Sequence, residues 1–341
     1  MTQPAPRALA HYVQIVARGP GRSRSLTQNE AREAMALILS GAAAPEAIGA
    51  LLMVLRVHHE TADEIAGFAE TARANLGSWQ ELAADLDWPS YAAGRSRGLP
   101  HFLLAALLLA RNGVRVMMHG HNSHMRDDGG TPAALAALGL ACAVTPVAAR
   151  ADIDRTGLAY VPLAALSPRL LGLLKLREVL GLRSCINTVL RALNPTAASA
   201  SIVGVFHPPY VELQVEAARR TGQRRLAAFK GGGGEAERTP FKALAVFGLE
   251  DGQTITTQWP ALIEGQHRRL SENIPVDFSH LIGLWRGEIT DPVSETIVTG
   301  TAAIALAALD RANSPAEADK IAKTLWSQRD RQFLPLARKA A

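Results

Sequence analysis

The chain has 341 residues, of which 48% are hydrophobic and only 5% aromatic, and its formal net charge is +5. This length predicts either several domains or one large α/β unit, and the composition excludes a disordered protein. The apolar run FLLAALLLA at 102–110 is too short to cross a bilayer, so we predict no membrane partner. No charged-then-apolar signal opens the sequence, which predicts a cytoplasmic protein without disulfides.

Residues 1–80 have the pattern of a small helical bundle with short connections. Thr27 precedes Glu30 by three residues, and Thr61 precedes Glu64 by the same spacing. A threonine followed at this distance by a glutamate is typical of a capping box at a helix start. We therefore predict an N-terminal helical domain over 1–80 that packs and dimerises without carrying chemistry.

The pattern beyond residue 80 alternates short β-type runs with helices of ten or more residues. The predicted strands are 114–118, 158–162, 202–206 and 226–229, and residues 141–144 could form another short one. The predicted helices are 101–112 and 170–193. The runs VFGLEDGQTITT and IPVDFSHLI favour β-rich edges, and Ala-rich helices are expected at 294–312 and 316–340. Such alternation predicts βαβ units and a mostly parallel central sheet.

One strand–loop–helix stretch, residues 115–140, has the arrangement that binds anions in α/β proteins. Its strand ends at His119-Gly120, and the loop closes with GGTP at 129–132 before an Ala/Leu helix. Three histidines occur at 119, 121 and 124, but their spacing matches no characteristic metal site. We predict no metal there.

Four segments, in the order in which they occur, carry a resemblance to a known family. They are LTQNEAREAMALILSG, PEAIGALLMVLRVHHETADEIAGFAE, RNGVRVMMHG and REVLGLRSCINTVLRALNP. The succession resembles the anthranilate phosphoribosyltransferases of glycosyltransferase family three, over roughly residues 20–310.

The resemblance implies a fold of the anthranilate phosphoribosyltransferase and nucleoside phosphorylase type. A small all-helical domain would include an inserted helical pair from about 165–195, and residues 81–341 would form a large α/β domain. It also implies a homodimer through the helical domains. A sugar pyrophosphate would bind with magnesium at the hinge, where an aromatic amine attacks its anomeric carbon.

Two of the family's phosphate motifs are altered. The Gly-Ser/Thr-Gly-Gly-Asp loop has become SYAAGRSRGLPHF at 90–102, which lacks the aspartate and carries Arg95 and Arg97. Backbone cradling of a phosphate needs consecutive small residues, and here the glycines are separated. The Lys-His-Gly-Asn-Arg motif has become MHGHN at 118–122, without the basic residues beside His119 and Gly120.

The third motif, an Asp-Glu pair that holds magnesium in the family, is altered as well. The corresponding stretch is KGGGGEAE at 230–237, where Ala236 replaces one carboxylate and Glu237 remains. Magnesium needs several oxygen ligands and is held poorly by one glutamate. Three departures together argue against the transfer reaction, so we predict no cofactor and no catalytic residue.

Some substrate-site features remain. Arg177 stands where the family recognises the carboxylate of anthranilate, and Asn187 keeps its place, whereas Arg191 replaces a glycine that lets the chain pass close to the substrate. An ion pair on a basic helix would explain Arg177 equally well. We predict a vestigial phosphate and substrate site made of Arg95, Arg97, His119, Gly120, Asn122 and Arg177.

Positive charge is concentrated between residues 171 and 242, which contain eleven Lys and Arg against five acids. Such concentration is typical of a polyanion binder, although cations at a helix C-terminus are common without any ligand. The predicted contacts to nucleic acid are Lys175, Arg177, Arg183, Arg191, Arg219, Arg220, Arg224, Arg225, Lys230, Arg238 and Lys242.

The altered motifs and this charge resemble a divergent branch of the family that lacks transferase activity. The resemblance implies a homodimer that binds single- or double-stranded nucleic acid without sequence preference. The alternative is an active glycosyl or phosphoribosyl transferase with an altered acceptor and magnesium, using a hinge pocket around His119 and Arg177. A sensor of small anions is a third possibility.

Overall fold

The computed structural model of the protein describes residues 8–19, 21–91, 98–121, 130–264 and 277–334. Its helices are α1 (Ala8–Ala17), α2 (Gln28–Ser40), α3 (Pro45–His58), α4 (Ala62–Ala74), α5 (Phe102–Ala110), α6 (Thr131–Ala137), α7 (Pro146–Thr156), α8 (Leu163–Leu166), α9 (Pro168–Leu180), α10 (Ile186–Arg191), α11 (Pro209–Arg220), α12 (Ser279–Arg286), α13 (Pro292–Ala308) and α14 (Pro315–Gln328). None of them, in the part of the chain that the structure describes, is long and apolar enough to span a membrane.

Seven strands form one sheet: β1 (Leu86–Ser90), β2 (Val116–Gly120), β3 (Leu158–Pro162), β4 (Ala200–Val205), β5 (Arg225–Lys230), β6 (Leu244–Glu250) and β7 (Gln253–Trp259). Their order is β3-β2-β1-β4-β5-β6-β7. The five strands from β3 to β5 run parallel, and β6 and β7 continue the sheet as an antiparallel hairpin. The predicted α/β fold with a mostly parallel sheet is confirmed.

The N-terminal helices begin at the residues that their caps dictate. Thr27 accepts a hydrogen bond from the Glu30 amide at 3.2 Å, and the Glu30 carboxylate accepts one from the Thr27 amide at 2.9 Å. Thr61 and Glu64 form the same reciprocal pair before α4. Both predicted capping boxes are confirmed, and each satisfies two amides that the first turn leaves without partners.

Two large apolar clusters, and a smaller third one between α11 and strands β4 to β6, hold the described residues together. One lies between the sheet and α5, α13 and α14, where every residue of α5 is buried. The other joins α1–α4 to α9 and α10 and reaches the sheet at Met117 and Val161. Helices α9 and α10 therefore pack with the N-terminal helices although they occur more than ninety residues later. The predicted domain boundaries themselves stay a prediction.

Three predictions about single elements were wrong. β1 lies at the centre of the sheet, but its sequence LDWPS was not predicted as a strand, since Asp87 and Pro89 both disfavour one. The IPVDFSHLI run contains the start of helix α12, and residues 141–144 contribute only a bridge from Cys142 to Tyr160.

Candidate functional site

The carboxyl ends of β1 and β4 meet at the point where the strand order reverses. The chain proceeds from β1 to β2 and β3 on one side, and from β4 to β5 on the other. In open parallel sheets, ligands bind in the crevice outside the carboxyl ends of the strands at such a switch point. This position is therefore where the fold predicts a site.

A cavity of about 250 Å³ opens at this place, beyond the carboxyl end of β4. Its walls come from both parts of the molecule: α3 and the segment that joins it to α4, α10 and the residues just before it, and the end of β4 with α11. The lining residues are Arg56, Glu60, Arg183, Ser184, Asn187, Thr188, Arg191, Val205, Phe206, His207, Tyr210 and Gln214. Polar groups thus converge in a cleft with an aromatic wall, as in small-molecule sites.

Arg191 lines the cavity and is 7% exposed. Its guanidinium donates three hydrogen bonds to backbone carbonyls: Nε to Gly204 at 3.2 Å, Nη1 to Asn187 at 3.0 Å and Nη2 to Tyr91 at 2.6 Å. It therefore joins α10 to the carboxyl ends of β1 and β4. Burial lowers the pKa of this guanidinium.

Three other charged side chains face the cavity. Burial, and then repulsion from Arg177, Arg191 and Arg56, lowers the pKa of Arg183. Glu60 is buried and accepts a hydrogen bond from the Thr188 hydroxyl at 3.3 Å, and burial raises its pKa. The cavity thus combines several guanidinium groups with one carboxylate of raised pKa.

Neither His119 nor Arg177, around which a hinge pocket was predicted, lines this cavity. His119 is fully buried; its Nδ1 shares a hydrogen bond of 2.7 Å with the Tyr91 hydroxyl, and its Nε2 lies 3.2 Å from the Asp87 carboxylate. Ser201 donates to the same carboxylate at 3.2 Å. His119 is therefore part of a buried polar chain across three strands, inaccessible to a substrate.

Three glycines at or just after the carboxyl ends of β2, β4 and β5 are required by packing. A Cβ at Gly120 would overlap the Ser90 carbonyl at the end of β1, and one at Gly231 would overlap the Glu235 carbonyl. A Cβ at Gly204 would overlap the same Glu235 backbone. Glycine is therefore required at these positions because neighbouring backbone of the same chain, and not a bound phosphate, approaches closely.

Four of the predicted nucleic-acid contacts are already ion-paired at the surface. Arg219 pairs with Glu216 at 3.2 Å, and Arg220 pairs with Asp63 and Glu216 at 2.7 Å each. Further pairs are Arg224 with Asp251 at 2.8 Å and Arg225 with Asp310 at 2.9 Å. The charge seen in the sequence at 219–225 is therefore largely compensated by acids from other segments.

The remaining predicted contacts do not form one surface. Arg191 and Arg238 are buried, which corrects their placement on a basic patch. Lys175, Lys230 and Lys242 are exposed, and Arg177 and Arg183 are partly buried. Arg225 begins β5 and Lys230 ends it, so these two lie roughly 17 Å apart at opposite ends of the sheet. Arg95, Arg97 and Asn122 lie outside the described residues.

The stretch at 230–237, which would hold magnesium in the family, offers few metal ligands in this protein. Ala236 is buried and offers no ligand, and the Glu237 carboxylate accepts a hydrogen bond from the Phe102 amide at 3.0 Å. Within the described ranges, no three His, Cys, Asp or Glu side chains are grouped to hold a metal ion. These residues do not fit a magnesium site, and we derive no reaction step through the metal.

Most cavity residues were not predicted. Arg56 lies on a helix expected only to pack, and Glu60 lies in the segment after it. Phe206, His207, Tyr210 and Gln214 lie at or after the end of a predicted strand to which no chemistry was assigned. Only Asn187, Arg183 and Arg191 had been considered. If the strand order had been known, its switch point between β1 and β4 would have indicated the other cavity residues.

Two domain families match the chain. Residues 11–76 match the helical bundle domain of the glycosyl transferase family, and residues 102–327 match its a/b domain. The chain belongs to this family, the one that contains the anthranilate phosphoribosyltransferases.

Relatives with that name share up to about a third of its residues over the matched segments. The anthranilate phosphoribosyltransferase of Sinorhizobium medicae is 32% identical over 232 residues, which are 68% of this chain and 68% of the relative. That of Methylocella silvestris is 31% identical over 228 residues, 67% of this chain and 65% of the relative. That of Geobacillus kaustophilus is 26% identical over 304 residues, 88% of this chain and 89% of the relative.

Solved structures show the same fold. Anthranilate phosphoribosyltransferase from Thermus thermophilus superposes with a TM-score of 0.77 at 23% identity, covering 93% of this chain and 94% of that one. The enzyme from Saccharomyces cerevisiae in complex with PRPP and Mg gives 0.72 at 15% identity, covering 94% and 93%. Magnesium therefore occurs with the sugar pyrophosphate in that relative.

These relatives overturn the main functional prediction. A non-enzymatic nucleic-acid binder was expected, but the related proteins are anthranilate phosphoribosyltransferases, and none of these comparisons shows nucleic-acid binding. The error arose from reading charge along the sequence, whereas the folded chain pairs or buries most of those arginines. The findings favour the alternative, a transferase.

Proposed function

We propose that this protein transfers a phosphoribosyl group from a sugar pyrophosphate to a small acceptor other than anthranilate. The observation that carries the proposal is the cavity at the switch point, which both parts of the molecule line. Membership of the glycosyl transferase family across both domains supports it. Arg191, at the position where the family resemblance places a glycine, supports the change of acceptor.

The reaction joins a nucleophilic atom of the acceptor to the anomeric carbon of the donor. The bond from that carbon to pyrophosphate breaks, its electron pair leaves with the pyrophosphate, and the acceptor must lose a proton. Glu60 is suited to accept it, because its carboxylate lines the cavity and burial raises its pKa. A base is most effective when its pKa is close to the working pH.

The test is release of pyrophosphate from PRPP, with magnesium added as in the yeast structure. Anthranilate and a panel of other aromatic amines and acids serve as acceptors. We expect release with at least one acceptor other than anthranilate, and a roughly 100-fold lower kcat in Glu60→Gln with a nearly unchanged KM. Glu46→Gln removes a carboxylate from the exposed start of α3 and is the matched control. Absence of release with every acceptor would refute the proposal.

We further propose a homodimer formed through the helical part. Val57 on α3 is 69% exposed and Val179 on α9 is 83% exposed, and the two helices adjoin where Leu180 lies 3.6 Å from a Cβ built on Gly49. Light scattering after gel filtration should give twice the chain mass. Val57→Asp combined with Val179→Asp should give a monomer; a monomeric unmodified protein at micromolar concentration would contradict the proposal.

A further inference from the structure

The sheet has two edge strands, β3 and β7, and their outer sides differ. Beside β3, the Ala143 amide donates to the Tyr160 carbonyl at 2.8 Å, and four of the five strand residues are buried. On β7 only Trp259 is buried. Within the described ranges, no other strand or loop pairs with the outer side of β7. An edge strand in this state is a template for pairing with another strand.

The turn before β7 determines which of its main-chain groups point outward. Asp251 and Gly252 both have positive φ, 46° and 80°, as in a type I′ hairpin turn. The residue pair that flanks such a turn exchanges two hydrogen bonds, and from there bonded and non-bonded pairs alternate along the hairpin. The amides and carbonyls of Thr254, Thr256 and Gln258 therefore point away from β6.

We propose that β7 pairs with β7 of a second copy of this chain, antiparallel and centred on Thr256, so that the two sheets join into one. In this register Thr256 faces Thr256 of the partner subunit, and Thr254 faces Gln258 of the partner subunit. Each of the three outward-facing residues then exchanges two main-chain hydrogen bonds with the partner. This inference goes beyond the proposed transfer and does not rest on it.

The sequence of β7, QTITTQW, suits pairing with a copy of itself. A two-fold contact places side chains near the axis against their own kind, so a charged residue there would meet a like charge. β7 contains no charged residue and no proline, although both commonly protect an exposed edge. On the other face of the strand, Ile255, which is 40% exposed, would meet Thr257 of the partner subunit. Pairs of β-branched side chains stabilise antiparallel strands.

The charges beside β7 favour the antiparallel direction. The side chains that pair with one another around the turn are three acids and two arginines, Glu250, Asp251, Asp310, Arg224 and Arg225. An antiparallel register keeps the two turns roughly 30 Å apart, beyond the distance at which surface charges interact in physiological salt. A parallel pairing would place the two acidic turns side by side.

The proposed contact is small. β7 has seven residues, whereas each side of a stable interface has roughly 20–30. We therefore expect reversible association that increases with protein concentration. A disulfide between introduced cysteines is a suitable test, because it traps a weak complex and reports its register.

In the first experiment, the full chain with Thr256→Cys is oxidised with glutathione at about 100 µM. Directly opposed residues of a hydrogen-bonded pair have Cα atoms about 5.5 Å apart, a distance that a disulfide spans. The matched control is Thr254→Cys, which is equally exposed but would lie roughly 14 Å from its own counterpart. We expect roughly tenfold more cross-linked dimer from Thr256→Cys than from Thr254→Cys. Equal yields would mean random collision and would overturn the proposal.

The double variant Thr254→Cys with Gln258→Cys checks the register. These two positions face each other in the proposed pairing, so the double variant should cross-link as well as Thr256→Cys does. The unmodified chain, whose Cys142 is half-buried and whose Cys185 is buried, measures the background. Cross-linking of Thr256→Cys without cross-linking of the double variant would exclude the antiparallel register.

Sedimentation velocity gives a second measurement, made on chains that carry Val57→Asp and Val179→Asp so that the helical contact is absent. Their average mass should rise from one chain towards two as concentration increases from about 10 to 500 µM. Adding Thr256→Lys, which places two cations at the axis, should abolish the rise, whereas Thr254→Lys, opposite a glutamine, should leave most of it. A constant mass, or a rise that Thr256→Lys leaves unchanged, would refute pairing through β7 and leave this edge to a strand of another protein.

Discussion

The carboxyl ends of β2 and β4 lie at the same edge of the sheet, with β1 between them, and they are built in opposite ways. At the end of β2, His119 and Gly120 are enclosed by Tyr91, Asp87 and the backbone of Ser90, and every polar contact stays within the protein. At the end of β4, the chain turns through the exposed residues Phe206 and His207 and leaves a cavity that several arginines line.

This difference shows which kind of residue indicates a site. His119 belongs to the motif that suggested chemistry, but it is buried between the Tyr91 hydroxyl and the Asp87 carboxylate. Arg191 departs from the family pattern and lines the cavity. Position at a cavity is therefore a better guide to a ligand site than membership of a motif.

The largest effect is expected from Gly120→Ala, which tests the packing at the carboxyl end of β2. The added Cβ would overlap the Ser90 carbonyl, which belongs to the neighbouring strand and cannot move aside as a side chain could. We expect a loss of about 3 kcal/mol or more in the free energy of unfolding measured with urea. Gly172→Ala on α9 has open space around its Cβ and should gain about 0.5–1 kcal/mol. Equal stability of the two variants would show that the end of β2 is not packed tightly.

A smaller effect is expected from Tyr91→Phe, which removes the hydroxyl that shares a hydrogen bond with His119. The buried imidazole then loses a partner, at a cost of about 1–3 kcal/mol in unfolding free energy. Tyr210→Phe beside the cavity should cost less than about 0.5 kcal/mol, because the residue is only partly buried and water can replace its hydroxyl as the hydrogen-bond partner of Arg56. Similar losses in both variants would contradict the difference in burial between the carboxyl ends of β2 and β4.

The pH dependence of stability should show that the Glu60 carboxylate, which lines the cavity, is buried. Burial raises its folded-state pKa above the ordinary value of 4.5, so its stabilising contribution is present below that pH and is lost as pH rises through the raised pKa. Glu60→Gln has no such loss. Measured from pH 4 to 8, the unmodified protein should therefore lose stability relative to Glu60→Gln as pH rises. A constant difference would place Glu60 in solvent.

The smallest change is expected from Arg224→Gln, which breaks the exposed ion pair with Asp251. Pairs of this kind contribute little, because water screens them and the side chains lose entropy. Thermal and urea unfolding should change by less than about 0.5 kcal/mol. A larger loss would mean that the arginines at 219–225 stabilise the fold as Arg191 and Arg238 do.

The sequence could predict those parts of the fold that depend on local patterns. Capping boxes before α2 and α4 involve residues three apart, and β3 was predicted with the bounds that the structure has. β1 escaped prediction because LDWPS has no local strand signal; its position is fixed by pairing with β2 and β4, which are distant in sequence. Tertiary contacts decided that element.

The cavity could not be predicted for a related reason. Its walls come from residues near 56–60, 183–191 and 205–214, which become neighbours only when the strand order is known. The arginines at 219–225 showed the opposite error. Their partners Asp63, Asp251 and Asp310 are remote in sequence, so the local charge density overstated the positive surface of the folded protein.

The three carbonyls that bind Arg191 also constrain the order of folding. Tyr91 is 100 residues away from Arg191 in the chain, Gly204 is 13 away, and the two come together only through the pairing of β1 with β4. Contacts of such long sequence separation form late, because the entropy of closing the loop is lost before they give any return. A partly folded chain in which β1 and β4 are not yet paired therefore lacks the cavity. Ligand binding can then be used to detect the formation of the central sheet.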